Sequence, residues 1–243
     1  MFLVINLGLK SIRGIVYNRY GKKIDNINFV IDTKISNNFI EQNPHEYIFK
    51  LKKILSYLKK KKLISSLKAI SVTSSANCLI GLSNELRPKT KVITVLDFRA
   101  NELKIKNKNS VLLDPSHNLS KIIWFKKNNP KLFKLCKYWV NSSDYLSYFL
   151  TNHLVTDNLN YEKFLIKNLK TSKNILSSYG IEQVNLPIKK NIGTEISLSN
   201  YLIDRYGFNK NCKFVLTTYD AICACLGSVN SKNIYNNAAE VSG

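Results

Sequence analysis

Residues 5–18 read INLGLKSIRGIVYN, and the reading of this stretch decides the fold. Two apolar runs, Leu3–Ile5 and Ile12–Tyr17, flank a short turn at Gly8–Ser11, which is the pattern of a β-hairpin. The turn carries Gly8, Lys10 and Ser11, and Arg13 follows it. A glycine in a hairpin commonly serves only to take a positive φ. Backbone N–H groups in such a turn also converge on anions, and neighbouring cations add attraction. The same residues therefore read as a plain turn or as a cradle for phosphate.

Working outward, NRYG at 18–21 closes a second turn, and a third strand follows near 22–31, giving an antiparallel meander. Residues 41–62, EQNPHEYIFKLKKILSYLKKKK, form the clearest helix. Asn43 is its expected N-cap, Pro44 fits the first turn, and Glu46 is placed to complete a capping box. Tyr47, Ile48, Leu51, Ile54, Leu55 and Leu58 recur at helical spacing. LKAISVTS at 67–74 reads as a buried strand, and strand–helix–strand after a hairpin predicts an α/β domain with a mixed sheet. VITVLDFRANEL at 92–103 reads as a strand running into a helix near Asp97. Short helices are expected at 119–128, 131–137, 143–150 and 198–206, with Asn129-Pro130 and Ser142 as start signals and Gly207 as a stop. Residues 212–229 read as a strand, a polar turn and a helix of small residues. The closing AAEVSG, 238–243, shows neither a final helix nor a charged end.

A chain of 243 residues can bury a sizeable core, and a hydrophobic content of 44% argues against disorder. No apolar run approaches the roughly 18 residues of a membrane span. The N-terminus lacks a basic region and Lys10 interrupts its apolar stretch, so no secretory signal is read and a cytoplasmic location is expected. Cys78, Cys136, Cys212, Cys223 and Cys225 fit neither a zinc site nor a redox C-x-x-C pair, and they read as reduced, partly buried thiols. His45, His117 and His153 lie far apart, and no metal site is read from them. The net charge of +21 invites a nucleic-acid reading. Yet Lys, Asn, Ile, Tyr and Phe are abundant together, as a bias toward A/T-rich codons would produce. The run Lys59–Lys62 suits the negative end of a helix dipole, and no nucleic-acid motif accompanies the charge. Neither a nucleic acid nor a membrane is expected as a partner.

The other candidates for chemistry lie at strand ends. Asp220 stands where a strand hands over to a helix, as an N-cap or as a base within reach of a substrate hydroxyl. Asp97 and Arg99 read either as a pair that reaches sugar hydroxyls or as a helix cap with a surface salt bridge. SSAN at 74–77 follows the buried strand, and strand exits are where ligands sit in α/β sheets.

In this order the segments resemble the N-terminal domain of the FGGY carbohydrate kinases, the family of xylulokinase, ribulokinase and glycerol kinase. INLGLKSIRGIVYNRYGK looks like the opening phosphate hairpin, EQNPHEY like the family's Glu-Gln-x-Pro segment, ISVTSSANCLIGLS like its substrate loop and VLDFRA like its Asp-x-Arg segment. LSKIIWFKKNNP, SDYLSYFLTN and TDNLN follow in the family's order, and LTTYDAICACLGS resembles the segment with the catalytic Asp. The resemblance implies an actin-like, ribonuclease-H-like α/β domain, hairpin first, with a mixed sheet and helices on both faces. It implies transfer of the γ-phosphoryl of ATP, with Mg²⁺, to a sugar or polyol, a pentulose being slightly favoured. Carried over by position, Asp220 is the general base, and Ser75, Ala76 and Asn77 lie in the substrate loop. Asp97 and Arg99 lie near the sugar, and Gly8, Lys10, Ser11 and Arg13 face the phosphates.

Two departures qualify this. Asn6 stands where the family has an acid, and Leu9 where it has Thr; an amide supplies no charge to Mg²⁺ or its waters. The family also has a second domain that holds the nucleotide. Residues 1–243 are read as the sugar-binding domain alone, without the C-terminal ATP-binding domain and with negligible kinase activity by themselves. The alternative is a non-catalytic sugar-binding or regulatory descendant of the fold.

Overall fold

The computed structural model describes residues 1–103, 114–164, 177, 180–181 and 184–228; the closing stretch 238–243 and position 229 lie outside these. The hairpin forms from β1 (Phe2–Leu7) and β2 (Ser11–Tyr17), and β3 (Lys23–Val30) extends it. β1 and β2 pair antiparallel with Leu7 opposite Ile12 and Phe2 opposite Tyr17. Alternation places Leu3, Ile5, Leu7, Ile12 and Val16 in the core.

Next come the short β4 (Thr33–Ser36) and β5 (Phe39–Gln42), then α1 (Pro44–Lys60). Asn43 caps α1 by accepting the His45 N–H, Pro44 opens it, and Lys59 and Lys60 end it. The expected capping box does not form. The Glu46 carboxylate turns instead to Lys50 at 3.5 Å and to the Asp32 N–H at 3.4 Å, tying the helix start to the turn between β3 and β4. The apolar stripe Tyr47, Leu51, Ile54, Leu55 and Leu58 is buried, each large side chain being worth about 1.5–3 kcal/mol relative to exposure. α1 lies so close to β2 that a Cβ on Gly14 would stand 2.4 Å from Ile54 Cγ2.

α1 returns the chain to β6 (Ala69–Ser74), parallel to β1 with Leu7 opposite Ser74. A second, antiparallel sheet is built from β4, β5, β7 (Leu79–Leu82), β8 (Val92–Ile93) and β9 (Tyr138–Asn141), in the order β4-β5-β8-β7-β9. The strand expected from residue 92 ends after Ile93, because Thr94 turns the chain: its Oγ1 donates to the Ile40 carbonyl and its own carbonyl accepts from the Asp97 N–H. A single 3₁₀ segment, Arg99–Leu103, stands in place of the expected helix.

The helices α2 (Asn118–Asn128), α3 (Pro130–Leu135) and α4 (Ser142–Thr151) follow. Asn129 caps α3 as expected, whereas α4 is capped by Asn141, one residue before the Ser142 read as its start. A small parallel pair, β10 (Val155–Asp157) with β11 (Ile188–Lys190), accompanies α5 (Asn158–Glu162). The chain returns to the main sheet through β12 (Glu195–Ser197), α6 (Asn200–Tyr206), β13 (Lys213–Val215) and α7 (Asp220–Ser228). Gly207 ends α6 at φ 81°, the left-handed conformation that glycine tolerates.

Among the described residues the main sheet has six strands in the order β12-β13-β6-β1-β2-β3. β13, β6 and β1 run parallel, so their C-terminal ends share one edge. Ile70 and Val72 face the core that also holds the buried residues of α1 and α4. Thr73 points to the opposite face, where its hydroxyl meets Cys223 Sγ of α7. The architecture is thus the mixed α/β sheet with helices on both faces that the order of segments implied. A second core gathers Ile122 and Phe125 of α2 with Trp139, Leu79 and Ile93.

Substituting Gly14→Ala forces apart α1 and β2. The variant is expected to lose about 1–3 kcal/mol, read as a lower urea midpoint at unchanged slope.

Candidate functional site

The shared edge of β1, β6 and β13 brings together three segments that are far apart in sequence. The Ser75 N–H donates to the Leu7 carbonyl at 3.0 Å, so the loop at 75–77 leaves β6 beside the glycine turn. The Ser75 hydroxyl donates to Asp220 Oδ2 at 3.1 Å. Thr217 Oγ1 donates to the Val72 carbonyl at 2.7 Å and Thr73 Oγ1 to the Thr218 carbonyl at 2.8 Å. These bonds stitch the turn before α7 to β6, and Asp220 begins α7 half-buried. Its Oδ1 accepts its neighbour Ala221's N–H at 2.9 Å, so it stands inside the first helical turn rather than before it as a cap.

At the hairpin, Gly8 does not take a positive φ, which removes the usual backbone reason for glycine there. A Cβ on it would make only ordinary contacts, the nearest with Arg13 Nη2 at 3.5 Å. Its N–H closes the turn onto the Ser11 carbonyl at 2.9 Å and so does not point outward. Lys10 and Arg13 are exposed and Ser11 is half-buried. Asn6 Oδ1 is a buried acceptor without a hydrogen-bond partner.

In the loop leaving β6, Ser75 and Ala76 are half-buried and Asn77 is buried at a left-handed φ of 61°. Asn77 Oδ1 likewise has no partner. The loop is supported from below. The Ser142 N–H donates to the Cys78 carbonyl at 3.0 Å, and Asn118 Nδ2 donates to Asn141 Oδ1 at 2.7 Å. Asn141 in turn donates its N–H to Asp144 Oδ2 at 2.8 Å. Burial pushes the Asp144 carboxyl up to about 7, against the pull of that N–H.

Asp97 and Arg99 do not form the surface pair that was one of the two sequence readings. Both are buried, 1% and 2% exposed. Arg99 Nε and Nη2 donate to the two Asp97 oxygens at 2.7 and 2.8 Å, and Nη2 also reaches Glu41 at 2.6 Å. The Ile40 N–H donates to Asp97 Oδ2 at 2.7 Å. The guanidinium lies 4.4 Å from the Phe39 ring centre and 5.0 Å from that of Trp124, and it lines a cleft of about 440 Å³ with Glu41 and Trp124. Burial opposes its charge, and the hydrogen bonds to Asp97 and Glu41 more than restore it.

Two lysines near the site were not singled out from the sequence. Lys121 is fully buried beneath the loop leaving β6, and its signal was a lysine directly before the apolar run Ile122–Phe125 of a short helix. Lys163 stacks its ammonium 3.6 Å from the centre of the Tyr219 ring, next to Asp220, and burial lowers its proton affinity. All five cysteines are free thiols, three of them buried; burial pushes Cys136 up to about 12 and raises Cys78. Among the described residues no group of three or more His, Cys, Asp or Glu is placed to share a metal ion, and no helix is long and apolar enough to cross a membrane.

The hairpin-led mixed sheet with helices on both faces is the actin-like α/β fold of the solved structures that this chain resembles. The xylulose kinase of Lactobacillus acidophilus superposes with a TM-score of 0.83 at 22% identity, over 93% of this chain and 50% of that one. Glycerol kinase of Plasmodium falciparum with ADP superposes at 0.78 and 19% identity, again over 93% of this chain and 50% of that one. The chain belongs to the FGGY family of carbohydrate kinases, whose N-terminal domain model matches residues 1–227. Xylulose kinase of Lactococcus lactis is 25% identical over 202 residues, 76% of this chain and 40% of that protein. The chain therefore spans half or less of the length of these relatives.

Two measurements test the geometry. Arg99→Met leaves Asp97 buried without its counter-charge, and a loss of about 3–5 kcal/mol is expected on denaturant unfolding. For Asp144 the folded value lies above the unfolded one, so the native state holds a proton that the unfolded chain has released between about pH 4 and 7. Its contribution to stability is present below that window and falls as pH rises through it. Asp144→Asn is expected to remove up to about 1.4 kcal/mol per pH unit of this slope.

Proposed function

We propose that this chain is the sugar-binding half of an ATP-dependent carbohydrate kinase, with Asp220 as the general base. The observation that supports this is the Ser75 Oγ to Asp220 Oδ2 contact at the strand exits, one residue from the Leu7 carbonyl that opens the glycine turn. Asp220 takes the proton of the acceptor hydroxyl as its oxygen bonds to phosphorus and the bond to the leaving phosphate oxygen breaks. Ser75 holds the carboxylate in place through Oδ2. Asn77 offers an unpaired amide oxygen to a sugar hydroxyl. Asp97 has both oxygens engaged, so the Asp97–Arg99 pair acts by fixing the wall of the pocket. A ketopentose acceptor is favoured, in keeping with the xylulose kinase relative.

Gly8, Lys10, Ser11 and Arg13 face the phosphates in this reading. Neither backbone conformation nor space within the chain demands glycine at position 8, which supports a close approach from outside. Asn6 Oδ1, buried and unpaired, suits a neutral oxygen contact to the water shell of a magnesium ion but brings no charge. When bound, ATP with Mg²⁺ supplies the phosphoryl group and neutralises its charge. The chain holds one wall of the cleft, so turnover needs the nucleotide-binding domain that makes up the rest of its relatives.

Residues 1–243 alone are expected to bind sugar without phosphorylating it. With the nucleotide-binding half present, Asp220→Asn should lower kcat about 10²–10⁴-fold with little change in sugar KM. Gly8→Ala should leave the urea midpoint within about 0.5 kcal/mol of the parent while impairing turnover. Full activity in Asp220→Asn would discard the assignment. Sugar binding by a complete protein that never turns over would instead favour a non-catalytic descendant, a reading that the uncharged Asn6 also favours.

A further inference from the structure

Lys121 is 0% exposed. Its Nζ donates to the Asn77 carbonyl at 2.6 Å and to the Thr94 carbonyl at 2.8 Å. It takes part in none of the ion pairs among the described residues. The ionisable groups facing it are Cys78, Asp97 and Asp114, which favour its charge, and Arg99, which opposes it; burial outweighs them and lowers its value to about 8. An ammonium held in the interior by carbonyls is costly to keep. The other buried residues of α2 are Asn118, Leu119, Ser120, Ile122, Ile123 and Phe125, none of them charged. Stability by itself does not account for a lysine here.

The two carbonyls belong to different segments. Asn77 lies in the loop leaving β6, and Thr94 lies in the turn between β8 and the Asp97–Arg99 pair. One ammonium thus ties the loop that the sequence reading assigned to substrate to the turn that leads into the Asp97–Arg99 pair. Asn77 holds a left-handed φ, a conformation that asparagine tolerates, and its Oδ1 is left buried without a partner. A buried acceptor without a partner is costly, and a ligand hydroxyl that reaches it removes that cost.

We propose that Lys121 is a positioning residue for the sugar: by clamping the Asn77 and Thr94 carbonyls it holds the Asn77 amide oxygen where a sugar hydroxyl can donate to it. This rests on the sugar-pocket reading above and adds to it the group that shapes the pocket. Lys121 does not touch the substrate. Its charged form makes the stronger hydrogen bonds, so sugar binding and protonation of Lys121 favour each other.

The test uses calorimetric titration of residues 1–243 with D-xylulose, D-gluconate and glycerol. The ligand that binds the parent chain best is expected to bind folded Lys121→Met at least about tenfold more weakly, the loss of one good hydrogen bond. A second measurement needs no variant. The ¹⁵N resonance of Lys121 Nζ is followed against pH with and without that sugar. The sugar is expected to raise the pH at which Nζ titrates, and affinity is expected to fall as pH rises through that value. Equal affinity in folded Lys121→Met, or an Nζ titration indifferent to sugar, overturns the role of Lys121 alone. Should Lys121→Met not fold, the titration decides. If none of the three sugars binds the parent chain, the sugar-pocket reading fails and this inference fails with it.

Discussion

The parallel register of β1 with β6 is the constraint on which the site depends. Leu7 pairs opposite Ser74, so the next residue of β6, Ser75, donates to the Leu7 carbonyl just as that strand enters the glycine turn. A slip of one residue would reverse every side chain on β6. It would expose Ile70 and Val72 and carry Ser75 away from Asp220. The core face therefore sets the geometry of the shared strand edge: burial of Leu3, Ile5, Ile70 and Val72 against α1 and α4 fixes the distance between two polar groups at the strand ends.

Beyond that edge the second sheet is organised by charge taken out of water. Arg99 is matched by two carboxylates and flanked by aromatic rings, and it fixes the path of the chain after β8. Lys121 has carbonyls for partners and bridges that path to the loop leaving β6. Such groups add little net stability and confer definite geometry, since each permits few arrangements of the chain around it. The surface lysines behave differently. Lys53 and Lys52 on α1 lie over the Phe49 and Phe149 rings at 4.6 and 5.5 Å, so part of the net charge of +21 covers apolar surface with long aliphatic stems.

Much of the fold was legible in the sequence because its signals are local. Alternating apolar residues around Gly8 specify a hairpin, the spacing of Tyr47 through Leu58 specifies α1, and Asn129, Pro130 and Gly207 mark helix ends by their own backbone chemistry. Local reasoning failed where a competing partner took over. Glu46 left its capping box for Lys50 and the Asp32 N–H. The strand at Val92 was cut short by the bonds of Thr94 to Ile40. Asp97 and Arg99, a plausible surface pair by spacing, were drawn inside by Glu41 and the Ile40 N–H.

The ordered segments by themselves determined the family and the α/β class, because element type, order and turn chemistry are properties of neighbouring residues. Only the tertiary structure decided which polar groups meet. Ser75 and Asp220 are 145 positions apart and touch through the pairing of β6 beside β1 and β13. The two carbonyl partners of Lys121 appear only when the loop and turn that it joins are brought over it. Hydrogen bonds act over about 3 Å, and the separations that matter to them are those left after the apolar faces have packed.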